Sequence, residues 1–194
     1  MNPSFTFILA SNSPRRRDLL RQIGASFTVA PADVDERILA GETAEHYAVR
    51  VAREKARVAA GRIAAGVILA ADTVVVLDGD IMGKPLDARD AERMLLKLSG
   101  TAHDVITAVA LLDAASGRES VKTATTRVWF QPLSAAEITA YIATGEPLDK
   151  AGAYGIQEKG ALFVEKIEGC YCNVVGLPLS LLAGMLKEIG YKFF

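Results

Sequence analysis

A chain of 194 residues with 22 basic and 23 acidic side chains has a net charge of -1, so any attraction for a polyanion must come from local clusters and not from a global field. Its 51% hydrophobic content is enough for a sizeable core and too high for a disordered chain. No segment reaches the apolar length that spans a bilayer, and the opening Met1-Asn2-Pro3-Ser4 lacks the basic stretch of a secretory signal, so a cytoplasmic location is expected.

The first apolar run, Phe5 to Ala10, reads as a strand that feeds a tight polar loop, Ser11-Asn12-Ser13-Pro14-Arg15-Arg16-Arg17, and then a helix containing Leu19 and Leu20. Ser13 is placed to cap that helix, and Pro14 suits its first position, where a missing N–H is no loss. Amides left free at a helix N-terminus, with arginines beside them, suit an anion such as a polyphosphate; a capped helix with solvated arginines is the plainer alternative. Ser26 to Ala30 reads as a short strand and Pro31 to Arg37 as an acidic loop. From Ala44 to about Ala60 the apolar residues Tyr47, Ala48, Val51, Ala52, Ala56 and Ala59 recur at helical spacing, with Arg50, Arg53, Glu54 and Arg57 off the stripe.

Val67 to Ala71 is a short continuous apolar run, expected as a buried strand that delivers Asp72 and Thr73 at its end, with a second strand, Val74 to Leu77, close behind. Asp78-Gly79 reads as a turn, Gly83-Lys84-Pro85 as a loop, and Asp87 as the cap of a helix over Ala88 to Leu98 that ends at Gly100. His103 to Leu112 and Ser120 to Phe130 form a hairpin candidate. Ser134-Ala135-Ala136-Glu137 has the form of a capping box opening a helix that stops near Gly145. A polar, glycine-rich stretch from Asp149 to Gly160, a strand from Ala161 to Ile167 and a last helix started by Pro178 complete the chain. Strands and helices interleave around one long hairpin, which predicts an α/β fold with a mixed sheet.

Four polar segments sit at element ends: Ser11 to Arg17, Asp33 to Glu36, Asp72-Thr73 with Gly83-Lys84-Pro85, and Asp149 to Gln157. Together they hold cations (Arg15, Arg16, Lys84), carboxylates (Glu36, Asp72) and an amide (Gln157), the mixture that phosphoryl chemistry uses. Each also has a duller reading. Asp72 can cap a turn, Lys84 can be a solvated loop lysine, Glu36 can belong to an acidic surface, Lys55 can be a helical ion-pair partner, and Gln157 can satisfy backbone groups. His46 and His103 are isolated. Cys170 and Cys172 are poorly spaced for a disulfide and are half of a zinc set, so they read as reduced thiols on a strand or loop. A P-loop, a nucleophile elbow and a zinc-ligand pattern are all missing, and 7% aromatic content argues against a single-strand nucleic-acid groove.

With these residues laid out, the chain resembles the Maf family of nucleoside triphosphate pyrophosphatases over nearly its whole length. The likeness rests on Ala10 to Arg16, Val34-Asp35-Glu36, Ala52 to Ala56, Ala71 to Val75, Gly83-Lys84-Pro85, Leu98-Ser99-Gly100, Gly145 to Gln157 and Asn173 to Pro178. The resemblance implies one Maf-like domain over residues 1–194, with the two-lobed α/β fold shared with inosine-triphosphate pyrophosphatases and a site in the cleft. It also implies hydrolysis of a nucleoside triphosphate between its α and β phosphates, with a divalent cation, Mg2+ or Mn2+. Carried over by position, Asp72 is the catalytic base, and Ser11, Arg15, Arg16, Lys55 and Lys84 contact phosphate. Glu36, with Asp72, is metal-associated, and Arg15, Thr73 and Gln157 bear on substrate choice. Gly155-Ile156-Gln157 resembles the branch acting on dTTP and UTP, normal or modified; the branch acting on 7-methyl-GTP has an acid in place of Gln157. Cys170-Tyr171-Cys172 departs from the family pattern, which has a serine there. A homodimer is a family expectation. The competing reading is a nucleotide-holding regulator of cell division, or a nucleic-acid-binding protein, without turnover; carrying Asp72 and Glu36 beside the cations argues for the enzyme.

Overall fold

The computed structural model describes residues 7–190, so the N-terminal reading and the first residues of the Phe5 to Ala10 run lie outside the described residues. The chain runs β1 (Phe7–Leu9), α1 (Pro14–Gln22), β2 (Phe27–Val29), α2 (Ala44–Ala60), β3 (Val67–Leu77), β4 (Asp80–Met82), α3 (Ala88–Leu98), β5 (Ala102–Asp113) and β6 (Glu119–Phe130). Then follow α4 (Ala135–Ile142), three short 3-10 turns between Glu146 and Phe163, β7 (Val164–Glu168), α5 (Tyr171–Val175) and α6 (Leu179–Glu188). The seven strands make one mixed sheet in the order β2-β1-β3-β5-β6-β7, with β4 paired to β3. β1 is parallel to both its neighbours, and the other pairings are antiparallel.

Alternation along β3 and β5 sorts side chains to two faces. Odd-numbered residues such as Leu69, Ala71, Val109 and Leu111 pack under α1, α5 and α6. Even-numbered ones such as Ile68, Ala70, Ala108 and Ala110 meet the stripe of α2, whose six expected apolar positions are all buried. Farther along the same strands, Val75, Val105, Val128 and Phe130 join α3, α4 and the 3-10 segment in a third cluster. The long strands thus run through two lobes, each with its own apolar packing.

Most local expectations hold for the stated reasons: Ser13, Asp87 and Ser134 all cap their helices, the last in a complete capping box. Four differ. Val67 to Leu77 is one strand and not two, because β5 pairs with it without a break from Val67 to Val76, so Asp72 lies in mid-strand. The short strand β4 was not anticipated; it exists because the Asp78-Gly79 turn folds it back onto β3. Ala161 to Phe163 belong to a 3-10 turn, with β7 beginning only at Val164. Cys172 lies on the unanticipated short helix α5; both cysteines are free thiols.

His103 is 1% exposed, with Nε2 bonded to the Tyr154 hydroxyl at 2.8 Å and Nδ1 without a partner among the described residues. Burial, assisted by Arg127, pushes its pKa from 6.5 down to about 4. The folded state therefore keeps this ring neutral where the unfolded chain protonates it. The associated stability is fully present above about pH 6.5 and is lost as pH falls toward 4, amounting to roughly 3 kcal/mol. Urea unfolding at pH 7.5 and pH 4.5 is expected to show a smaller pH dependence for His103→Gln than for the original chain. Equal dependence in both would remove His103 from the balance.

Candidate active site

β1 pairs with β3 only as far as Leu69, and β4 picks up the same edge at Val75. Between them the edge of β3 has no strand neighbour, and a cleft of about 450 Å³ opens there. That volume lies within the range of small-molecule sites. Because the edge is open, side chains from both faces of β3 reach the cleft. All nine positions singled out from the sequence line it: Ser11, Arg15, Arg16, Glu36, Lys55, Asp72, Thr73, Lys84 and Gln157.

Asp72 turns to the α2 face. Lys55 Nζ lies 2.8 Å from its Oδ1 and 2.7 Å from Glu36 Oε1, so one ammonium bridges two carboxylates. Asp72 Oδ2 has no hydrogen bond to the described residues. Burial raises the pKa of Asp72 in spite of Lys55 and Arg16. At Glu36 burial pushes the same way, but the bond to Lys55 and the charges of Lys55, Lys84 and Arg16 outweigh it and hold the pKa below its usual value. Two carboxylates on one lysine are thus driven apart, and the mid-strand one is the stronger proton acceptor. The Glu36 loop is held by α2: Tyr47 donates to the Glu36 carbonyl at 2.8 Å, and Arg50 reaches the carbonyls of Asp35 and Arg37. Sequence reasoning placed Tyr47 in the apolar stripe, which it also occupies, and missed this second use.

Thr73 turns to the opposite face, where Arg16 enters from α1. Arg16 is 9% exposed and donates to Gly176 O (2.8 Å), Ser11 Oγ (3.2 Å) and Thr73 Oγ1 (3.1 Å). Gly176 has φ 122°, in the region that favours glycine, and this carries its carbonyl to Arg16. All three acceptors are neutral. A guanidinium has five N–H donors, so two remain, one on each terminal nitrogen. Burial lowers the Arg16 pKa, while Asp72 opposes that shift. At the start of α1, Ser11 Oγ takes the Ser13 amide and Ser13 Oγ takes the Arg16 amide.

The second lobe supplies the other lip. Arg15 reaches Asp149 across the cleft at 3.1 Å, and Asp149 also pairs with Lys150. Lys84 makes no hydrogen bond or ion pair to the described residues. Its loop is fixed by the Gly152 amide, which donates to Gly83 O at 3.0 Å. Gly152, at φ 68°, approaches β3 so closely that a Cβ there would lie 2.8 Å from Val75. Gln157 is exposed and its amide has no partner among the described residues. Asp149, which links the lips through Arg15, and Lys150, which holds Asp149, stood out from the sequence only as members of a polar segment.

The donor chemistry suits a divalent cation. Glu36 and Asp72 are hard oxygen donors drawn to a single positive charge, and no group of three His, Cys, Asp or Glu is gathered as a cage among the described residues. That is the pattern expected where one or two carboxylates share the ion with phosphate oxygens.

A family model described as "Maf-like protein" matches residues 6–189. The chain is 52% identical over 182 residues to a protein of Syntrophomonas wolfei named dTTP/UTP pyrophosphatase, covering 94% of this chain and 96% of that one. It is 53% identical over 186 residues to a protein of the same name from Anaeromyxobacter dehalogenans, covering 95% and 94%. Among solved structures, the Staphylococcus aureus Ham1 protein superposes with a TM-score of 0.53 at 18% identity, over 95% of this chain and 99% of that one. A HAM1 protein from Coxiella burnetii gives 0.55 at 16%, with the same coverage. These structures share the fold.

Lys55→Met is expected to leave the buried Asp72 carboxylate uncompensated and to lower stability by roughly 3 kcal/mol. Adding Asp72→Asn to Lys55→Met should recover much of that loss in denaturant unfolding, because the orphaned charge is gone. A double variant no more stable than the single one would show that Lys55 acts through packing.

Proposed function

The chain belongs to the Maf family, and on that premise we propose that it is a nucleoside triphosphate pyrophosphatase that converts dTTP and UTP to the monophosphate and pyrophosphate, acting as one domain over residues 1–194. One observation carries this reading at the level of chemistry. Among the described residues, a buried guanidinium whose hydrogen-bond partners are all neutral, Arg16, and an unpaired ammonium, Lys84, share a cleft with a carboxylate, Asp72, whose Oδ2 is open. A module that only held a nucleotide would need the cations but no poised base. No helix among the described residues is long and apolar enough to cross a membrane.

The triphosphate lies along Ser11, Arg15, Arg16 and Lys84; Lys55, expected with them as a phosphate contact, is engaged by Asp72 and Glu36. The spare donors of Arg16 take phosphate oxygens as a fork, in a site already dehydrated, and Arg15 exchanges Asp149 for phosphate. Asp72 Oδ2 accepts a proton from a water that adds to the α phosphorus; the α–β bridge breaks and pyrophosphate leaves. Lys55 keeps Oδ1 occupied, which orients the carboxylate and leaves Oδ2 for the water. Glu36 and Asp72 would hold the divalent cation, Mg2+ or Mn2+, which when bound neutralises phosphate charge. Gln157 faces the base. Its amide both donates and accepts, matching the O4 and N3–H edge of thymine or uracil, which a carboxylate cannot do.

Pyrophosphate release from dTTP and UTP by the purified protein with Mg2+ or Mn2+ tests the reading directly, and no release from either would refute it. Asp72→Asn should lower kcat by about 10²–10⁴-fold with the protein still folded; a variant that keeps most of its rate would remove the base. Gln157→Glu should lower kcat/KM for dTTP and UTP more than Gln157→Ala does, since the charge faces a carbonyl oxygen. Equal values would take Gln157 out of base reading.

A further inference from the structure

The odd-numbered row of β3 and β5 is apolar on either side of one step, where Thr73 stands opposite Thr107. Ala71 and Val109 precede that pair in the sheet, and Val75 and Val105 follow it. Thr107 is fully buried and does not line the cleft. A hydroxyl in an apolar sheet face is costly unless it is bonded, so its partners indicate what it is for.

The direction of each bond can be deduced. Thr107 Oγ1 lies 3.1 Å from Asn173 O, and a carbonyl only accepts, so the single proton of Thr107 goes there. The 3.0 Å contact between the two hydroxyls must therefore use the proton of Thr73. That leaves Thr73 Oγ1 as the acceptor for Arg16 and leaves Thr73 no proton for a substrate. Asn173 is itself fixed: its Nδ2 donates to Val105 O at 2.9 Å and to Thr126 Oγ1 at 3.0 Å, tying the chain of bonds to the middle of the sheet.

Building on the proposed triphosphate site, we propose that Thr107 is a positioning residue: by taking the Thr73 proton it turns a Thr73 lone pair toward Arg16 and so fixes the plane of the guanidinium that grips phosphate. Thr73 then influences the substrate through Arg16 and not by touching the base. Without the Thr107 hydroxyl, Thr73 is free to rotate and to donate elsewhere, and Arg16 loses one of the three acceptors that hold its fork. Chained buried bonds of this kind act as a unit, so the effect is felt at Arg16 although Thr107 never meets the ligand.

Thr107→Val keeps the volume and removes the hydroxyl; Thr107→Ser keeps the hydroxyl. The valine variant is expected to lose roughly tenfold in kcat/KM, equally for dTTP and UTP, and to bind inorganic pyrophosphate more weakly by a similar factor in calorimetry. The serine variant should stay within about twofold of the original chain. Thr107→Ala carries the same test if the valine variant does not fold. A purely structural role would lower the melting temperature but leave pyrophosphate affinity and kcat/KM unchanged well below it, and that result overturns the proposal. So does a changed ratio of dTTP to UTP turnover with pyrophosphate binding intact, which would make Thr73 a direct reader of the base. If the original chain releases no pyrophosphate from either nucleotide, the pyrophosphatase reading fails by itself, and pyrophosphate binding across the variants still decides the role of Thr107.

Discussion

Strand β3 keeps an unbroken ladder with β5 over ten residues while its other edge loses β1 after Leu69 and gains β4 only at Val75. The site depends on that gap. An antiparallel partner on one side holds the backbone straight, so the residues in the gap keep a strict two-residue alternation, and the open edge lets a ligand approach both faces of the sheet. Consecutive residues then serve different layers: Asp72 meets Lys55 of α2, and Thr73 meets Arg16 of α1. Had the strand broken at Asp72, as its polar side chain suggests, neither orientation would be specified.

The two layers handle charge in opposite ways. On the α2 side, one ammonium is shared by two carboxylates, so the cation is outnumbered by its counterions and the two acids are set apart in acidity. On the α1 side, the guanidinium meets only a carbonyl and two hydroxyls, which spread its charge without cancelling it. A buried cation with no carboxylate among its hydrogen-bond partners is costly, and the nearby charge of Asp72 offsets that cost only in part. On the proposed reading an anionic ligand would relieve that cost, coupling affinity to stability at this point and letting a local cluster draw a polyphosphate to a chain with a net charge of -1.

The lips of the cleft are held by contacts between segments far apart in the chain. The Gly152 amide holds the Gly83-Lys84 loop, Asp149 meets Arg15 across the opening, and Tyr47 and Arg50 grip three successive carbonyls of the Glu36 loop. Irregular segments can carry catalytic groups only if their backbone is tied down in this way. Gly152 behind the second lip packs so closely on Val75 that a side chain there would not fit, while Gly176 lines the cleft with the left-handed backbone that turns its carbonyl to Arg16.

The local rules were legible from sequence because they act over a few residues. Ser13 with Pro14, Asp87, and Ser134 with Glu137 mark helix starts, and the spacing of Tyr47 to Ala59 marks the buried face of α2, since capping and helical periodicity need only near neighbours. The nine residues that line the cleft were also legible, as motifs. What no local pattern could supply was their arrangement. The continuity of β3 through Asp72 comes from β5, more than thirty residues away, and β4 exists because it can pair back onto β3. The short helix α5 is tied to the sheet by Asn173, which bonds to Val105 and Thr126 far away in the chain. Sequence by itself determined which groups are present and which ends of elements carry them. Tertiary structure decided that Lys55 joins Asp72 to Glu36 and that Thr73 serves Arg16, because sheet pairing fixes each side chain's face only once its distant partner is in place.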